Sequence, residues 1–283
     1  PELAKQLLAY RYRRLPMARK NAEAEGYAGA MYPWQSASKG DEQSQFTHLN
    51  PITKTWDPDN SRLQRHVSLD IAYNVWFYYH VTQDRDFLTH YGMEMLLSIA
   101  AFWISKADYD QANGRYNISG VMGPDEFHEN YPNSTTAGLK NTAYPNIMVA
   151  WLFDPITTLR AQMPQAAFQA AAQAAQFDST AEQALTTISH QLTLEINRRG
   201  IIAQFEGYFN LPTLDFQAYR QKYGDIARMD RILKAESKTP DAYQVAKQAD
   251  ALMAFYNFDV TTVQKIIEKM GYQLPKEYLT HNI

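Results

Sequence analysis

The chain has 283 residues, 45% of them hydrophobic, a formal net charge of −3 and no cysteine. That is apolar material for one large domain or two small ones, and the missing cysteine excludes disulfides and thiolate chemistry. Lys and Arg are scattered without a basic stripe, which argues against nucleic acid as a partner. No run of 18 apolar residues offers itself as a membrane span.

Residues 2–24 carry Leu3, Leu7, Tyr10 and Arg14 at three- and four-residue spacing, which predicts a helix. A loop dense in Gly, Ser, aromatics and charge follows to about residue 43. Helices are predicted over 66–83, with Val67, Ile71, Val75 and Tyr78 as an apolar stripe, and over 86–106, with Leu96, Leu97, Ile99 and Phe102 towards a core. Gly114, Gly120, Gly123, Pro124, Pro132 and Gly138 then break the pattern, leaving a long irregular segment with a short strand at Arg115–Ile118. Loops of this length in compact domains are uncommon and often functional.

Helices resume over 142–159 and after Pro164. Ser179 with Glu182 reads as a capping box for a helix reaching about Asn197. Thr239 and Pro240 predict an N-cap and first helical residue for a helix to about Tyr256. Asp259 caps a last helix with Val263, Ile266, Ile267 and Met270 on one face and Gly271 ending it. With almost no strand signal, the class expected is all-α. The opening at Pro1 and the closing YLTHNI read as cuts through a longer protein. No signal peptide is visible, so the default compartment is cytoplasmic.

The segment richest in chemistry is GVMGPDEFHENYPNSTTAGLKNTAYPN, residues 120–146. It sets Asp125, Glu126, His128 and Glu129 in a loop framed by Gly and Pro. A carboxyl beside Phe127 and Tyr131 is expected to be partly desolvated, which favours a proton donor at neutral pH. Acidic loop residues are more often solvated or capping. A metal site is the other functional reading, but no HExxH or EF-hand spacing supports it.

GPDEFHE followed by NTAYPN resembles the signature of glycoside hydrolase family 65, which includes maltose, trehalose and kojibiose phosphorylases and some α-glucoside hydrolases. Residues 11–42, 65–88 and 247–258 resemble further segments of that family in the same order. The resemblance implies one partial catalytic domain over 1–283. Its fold would be an incomplete (α/α)6 barrel with a long catalytic loop, and the N-terminal β-sandwich and the end of the barrel would lie outside it. An exposed apolar edge and little activity of the piece alone are expected.

By the same resemblance Glu126 is the general acid, and Lys247 and Gln248 contact hydroxyls of the glucose in the −1 subsite. Trp34, Glu42 and His66 fall in matching segments and are expected at the substrate pocket. Asp125 would orient Glu126 or cap a turn, and His128 would bond the acid or the loop backbone. Asn141 and Tyr144 would brace the loop. Pro145 stands where the family usually has Thr, and YPNSTTAGLK is longer than in maltose phosphorylases, which turns the substrate expectation away from maltose.

The reaction implied is inverting cleavage of an α-glucosidic disaccharide, foremost phosphorolysis to β-glucose 1-phosphate. Inorganic phosphate would be co-substrate, with no metal or organic cofactor, and a homodimer stays open. The alternatives are an inverting α-glucoside hydrolase, a non-catalytic carbohydrate-binding fragment and a plain helical interaction domain. In a hydrolase a second carboxylate would stand about 6.5–9.5 Å from Glu126.

Overall fold

The computed structural model of the chain describes residues 1–274, so the closing YLTHNI lies outside the described residues. The predicted first helix is two, α1 (Glu2–Tyr12) and α2 (Leu15–Ala24). Pro16 sits in the first turn of α2, where its missing N–H costs nothing, and it disfavours helical backbone just before it. After the hairpin β1 (Thr47–Leu49) and β2 (Trp56–Pro58) come α3 (Val67–Thr82), the single turn α4 (Arg85–Phe87), a π-turn over Leu88–Gly92, and α5 (Met93–Lys106).

Within residues 85–106 an 18-residue window reaches a mean hydropathy of 1.3, enough on length and composition to cross a membrane, yet 72% of that window is buried inside the protein. It is a core element. Met93, Leu96, Leu97, Phe102 and Trp103 of α5 are fully enclosed. Beside it α6 (Ala143–Arg160) is buried along most of its length. Around this pair pack α7 (Gln165–Ala174), α8 (Ser179–Gln191) and α12 (Val260–Lys269), with α3 between α1 and α6. The short helices α9 (Phe216–Tyr223), α10 (Met229–Ala235) and α11 (Met253–Asn257) lie in the connections.

The helical frame carries more strand than the sequence suggests. β3 (Ala107–Asp110), β4 (Arg115–Val121) and β5 (Leu139–Lys140) form an antiparallel sheet in that order, with an irregularity between Ser119 and Val121. These strands have two to seven residues, too short for an alternation to stand out.

Three boundaries differ from expectation. The cap of α8 is Asp178, whose carboxylate accepts from the Ala181 N–H, so Ser179 is the first helical residue, and α8 stops at Gln191. The predicted helix 239–256 does not form. Thr239 does cap, accepting from the Asp241 N–H, but the turn that follows covers only Pro240–Ala242. From Tyr243 the chain is irregular up to α11: the Gln244 N–H goes to the Pro212 carbonyl, and those of Lys247 and Gln248 go to a carboxylate described below. Pro145 does occupy the first turn of α6, whose N-cap position is Thr142, without a side-chain capping bond.

One flank of the molecule is apolar and open. Leu7 of α1, and Phe77 and Val81 of α3, remain exposed along a groove between these two helices, and Leu3 is exposed on the same helix as Leu7.

Candidate functional site

The β4–β5 connection and the segment after the Pro240 turn are far apart in sequence and laced together in space. Asp125 Oδ1 accepts from the backbone N–H groups of Lys247 at 2.8 Å and Gln248 at 3.4 Å, and also from Phe127 at 3.3 Å. Its Oδ2 lies 2.7 Å from His128 Nδ1. The other ring nitrogen, Nε2, donates to the Tyr243 carbonyl at 2.9 Å. A carbonyl only accepts, so Nε2 carries a hydrogen, and one hydrogen is shared between Nδ1 and the Asp125 carboxyl. Asp125 and His128 are 3% and 1% exposed. Polar groups so deeply buried are sustained only where their hydrogen-bonding capacity is used, as it is here.

Farther along, Asp241 Oδ1 accepts from the N–H groups of Glu129 and Asn130 at 2.8 and 3.1 Å. Asp250 accepts from the N–H groups of Tyr144 and Asp125, tying the start of α6 to the loop. Burial pushes the Asp250 carboxyl up to about 8; the bond from Tyr144 opposes this and the charge of Asp125 adds to it. Gly123 packs directly on this carboxyl: a Cβ there would come within 1.6 Å of Asp250 Oδ2.

This lacing presents Glu126. Its Oε2 takes a hydrogen bond from Lys247 Nζ at 2.9 Å and its Oε1 one from Gln248 Nε2 at 2.5 Å, while its own N–H donates to Gln248 Oε1 at 3.3 Å. The side chain keeps 37% of its exposure, so the expected desolvation by Phe127 and Tyr131 is not met within the chain itself. Phe127 points into a second small core with Leu214, Met229, Ile232, Leu233 and Val245. The Tyr131 hydroxyl bonds the Glu206 carbonyl. Both carboxyl oxygens of Glu126 are thus engaged by donors from the 247–248 pair.

Glu126 and Lys247 line a cleft of about 470 Å³ together with Trp34, Asn60, Gln64 and Glu129. Glu129 accepts from the Asn60 N–H and side chain, and burial pushes its carboxyl above the usual range. Trp34 is positioned by Glu42, which accepts its N–H at 3.2 Å and also bonds Ser44. Glu42 thus shapes the loop from behind and is not among the residues lining the cleft. His66 stands at the N-cap position of α3 without a capping bond from its side chain and is buried behind Trp34 and Tyr144, with its pKa lowered to about 4 by burial.

The two predicted braces hold different walls. Asn141 bonds Ile118, Asn117 and Glu206 across the β4–β5 corner. The Tyr144 hydroxyl bonds Asp70, whose carboxyl burial raises to about 6.

The structure also brings in residues that the sequence did not single out. Asp250 follows the Lys247–Gln248 pair by two positions, and that proximity was the available signal. Gln64 carries no signal in sequence. It is 1% exposed, lines the cleft, and neither amide atom has a hydrogen-bond partner among the described residues. A buried amide of that kind is suited to meet a hydroxyl, which both donates and accepts.

A family model for the central catalytic domain of glycosyl hydrolase family 65 matches residues 1–280. Over 285 residues the chain is 45% identical to the trehalose 6-phosphate phosphorylase of Lactococcus lactis subsp. lactis (strain IL1403), covering 100% of this chain and 35% of that protein. It is 32% identical to the kojibiose phosphorylase of Halothermothrix orenii, covering 90% of this chain and 32% of the relative. A solved structure from the human microbiome, designated a kojibiose phosphorylase, superposes with a TM-score of 0.72 at 22% identity, covering 94% of this chain and 32% of the other; at that identity the likeness bears on the fold. The chain spans about a third of the length of these relatives. It belongs to glycosyl hydrolase family 65, whose central catalytic domain model it matches almost end to end.

Proposed function

We propose that the protein carrying this chain cleaves an α-glucosidic disaccharide with inversion, by phosphorolysis to β-glucose 1-phosphate, and that Glu126 is the general acid. The observation that carries this reading is the meeting of Glu126 with Lys247 and Gln248 at the edge of a polar cleft. The phosphorylase names of the relatives support it, and trehalose 6-phosphate, the substrate in the name of the 45% identical one, makes a phosphorylated disaccharide a candidate. The helices described here would be part of an (α/α)6 barrel, with the open groove between α1 and α3 as the flank where its remaining helices pack.

In this reading a glucose unit in the cleft engages Lys247 and Gln248 through its hydroxyls, and those donors leave the Glu126 oxygens. Glu126, protonated, then gives its proton to the glycosidic oxygen as the bond from the anomeric carbon to that oxygen breaks. A phosphate oxygen bonds the same carbon from the opposite face, which inverts the configuration. Asp125 and His128 act as positioning residues, since they fix the backbone on both sides of the acid. Trp34 offers an aromatic wall to a sugar face.

The test is incubation of the complete enzyme with α-linked disaccharides, with and without inorganic phosphate. Phosphate-dependent release of β-glucose 1-phosphate is the expected outcome. Release of free glucose at the same rate without phosphate would replace phosphorolysis by hydrolysis.

A further inference from the structure

Helix α10 is pinned beside the acid and turns a cationic face to the cleft. Its Met229, Ile232 and Leu233 are buried in the small core that holds Phe127, the residue after Glu126. Arg228, Arg231 and Lys234, spaced by three, fall on another side and line the same cleft as Glu126 and Lys247. Two of the three are balanced. Arg228 pairs with Asp230 through bonds of 2.9 and 2.5 Å, and Lys234 with Asp57 at 2.8 Å. Arg231 is within hydrogen-bonding distance of no acid among the described residues, and its charge acts on Asp230 only at longer range. The other acids on this wall are engaged elsewhere: Asp59 with Ser61 and Gln45, Glu129 with Asn60, and Asp241 with the 129–130 backbone.

We infer that this face of α10 is a subsite for a phosphomonoester on the leaving sugar of the disaccharide. The inference rests on the phosphorolysis proposed above and names the substrate class of the same cleft. A phosphomonoester offers three acceptor oxygens and close to two negative charges, and the fork of an unpaired guanidinium with two neighbouring cations matches both. Inorganic phosphate is the other source of this chemistry, and geometry argues against it. The attacking phosphate approaches the anomeric carbon from the face opposite the acid, whereas the leaving sugar lies on the acid's own side. Arg228 is on that side, near enough for its charge to interact with Glu126.

The experiment compares the complete enzyme with its Arg231→Ala variant, measuring kcat/KM for trehalose 6-phosphate and for trehalose, and KM for inorganic phosphate. The expected result is a fall of about ten- to a hundred-fold in the preference for the phosphorylated sugar, the worth of a hydrogen bond to a charged group. Arg231→Lys should keep part of that preference. A wild-type enzyme that treats both sugars alike, an unchanged preference in the variant, or a rise in KM for inorganic phosphate with either sugar would each overturn the assignment. If the complete enzyme turns over neither sugar, calorimetry with glucose 6-phosphate and glucose judges the subsite separately, and the proposed reaction itself fails only if no α-linked disaccharide is phosphorolysed. Selective binding of the phosphate ester that Arg231→Ala abolishes supports it, and equal binding of both sugars sinks it.

Discussion

Glu126 and Gln248 hydrogen-bond each other twice: the Gln248 amide nitrogen donates to the carboxylate, and its amide oxygen accepts the Glu126 N–H. The side chain that positions the acid is thus the same one proposed to read the sugar. Binding a glucose at Gln248 and releasing the carboxylate become one event, which couples occupancy of the cleft to the state of the acid.

The first prediction concerns that carboxyl. Glu126→Gln in the complete enzyme keeps the shape and removes the proton donor, so turnover of disaccharides with poor leaving groups should fall by at least about 10²-fold. Steady-state kinetics with the thermal midpoint as a control would check it. A loss below about threefold in a folded variant would remove Glu126 from the role of general acid.

Asp250 should write itself into the pH dependence of stability. Its carboxyl is pushed up to about 8 when folded, against an ordinary value of 3.8. Between those values the folded state holds a proton that the unfolded state has released, so stability falls as pH rises through the window. At lower pH other groups interfere. His66, lowered to about 4, makes stability rise with pH up to its unfolded value near 6.5, while Asp70, raised to about 6, makes it fall. From about pH 6.5 to 8 Asp250 is the one of the three still titrating, at roughly 1 kcal/mol per pH unit. Denaturant midpoints across this range should drop in the wild type and flatten in Asp250→Asn. Parallel curves for the two proteins would show that the carboxyl is not protonated in the fold.

Gln64 should separate stability from function. Its buried amide has no partner among the described residues, a situation that costs about 1–3 kcal/mol. Gln64→Leu should therefore leave the denaturant midpoint unchanged or raise it. If the amide meets a sugar hydroxyl, kcat/KM should fall between about three- and tenfold, the worth of a neutral hydrogen bond. A variant that loses stability while keeping full catalytic efficiency would point instead to a purely structural amide.

Much of this was readable in the amino-acid order, for physical reasons. Three- and four-residue spacing located α3, α5 and α12, because each buries a stripe wide enough to show. The Gly- and Pro-framed loop around Glu126 and its motif located the acid. The Lys247–Gln248 pair was found by motif but set on the wrong backbone: a Thr-Pro start predicted a helix where the chain instead gives its N–H groups to Asp125. No local pattern announces a carboxylate 122 residues away. Gln64 and Arg231 escaped for a related reason, since each matters through the wall it faces and not through its neighbours in sequence.

The contact of Gly123 with Asp250 restricts how this corner can change over evolutionary time. Any side chain at 123 collides with the carboxyl unless 250 shrinks first, and shrinking 250 unties both Tyr144 and Asp125. Substitutions at the two positions should be strongly epistatic, each harmful alone and the order of their appearance decisive. Drift through single steps is blocked at that point, whereas a cleft-facing position such as Arg231 can change without entering the core that holds Phe127.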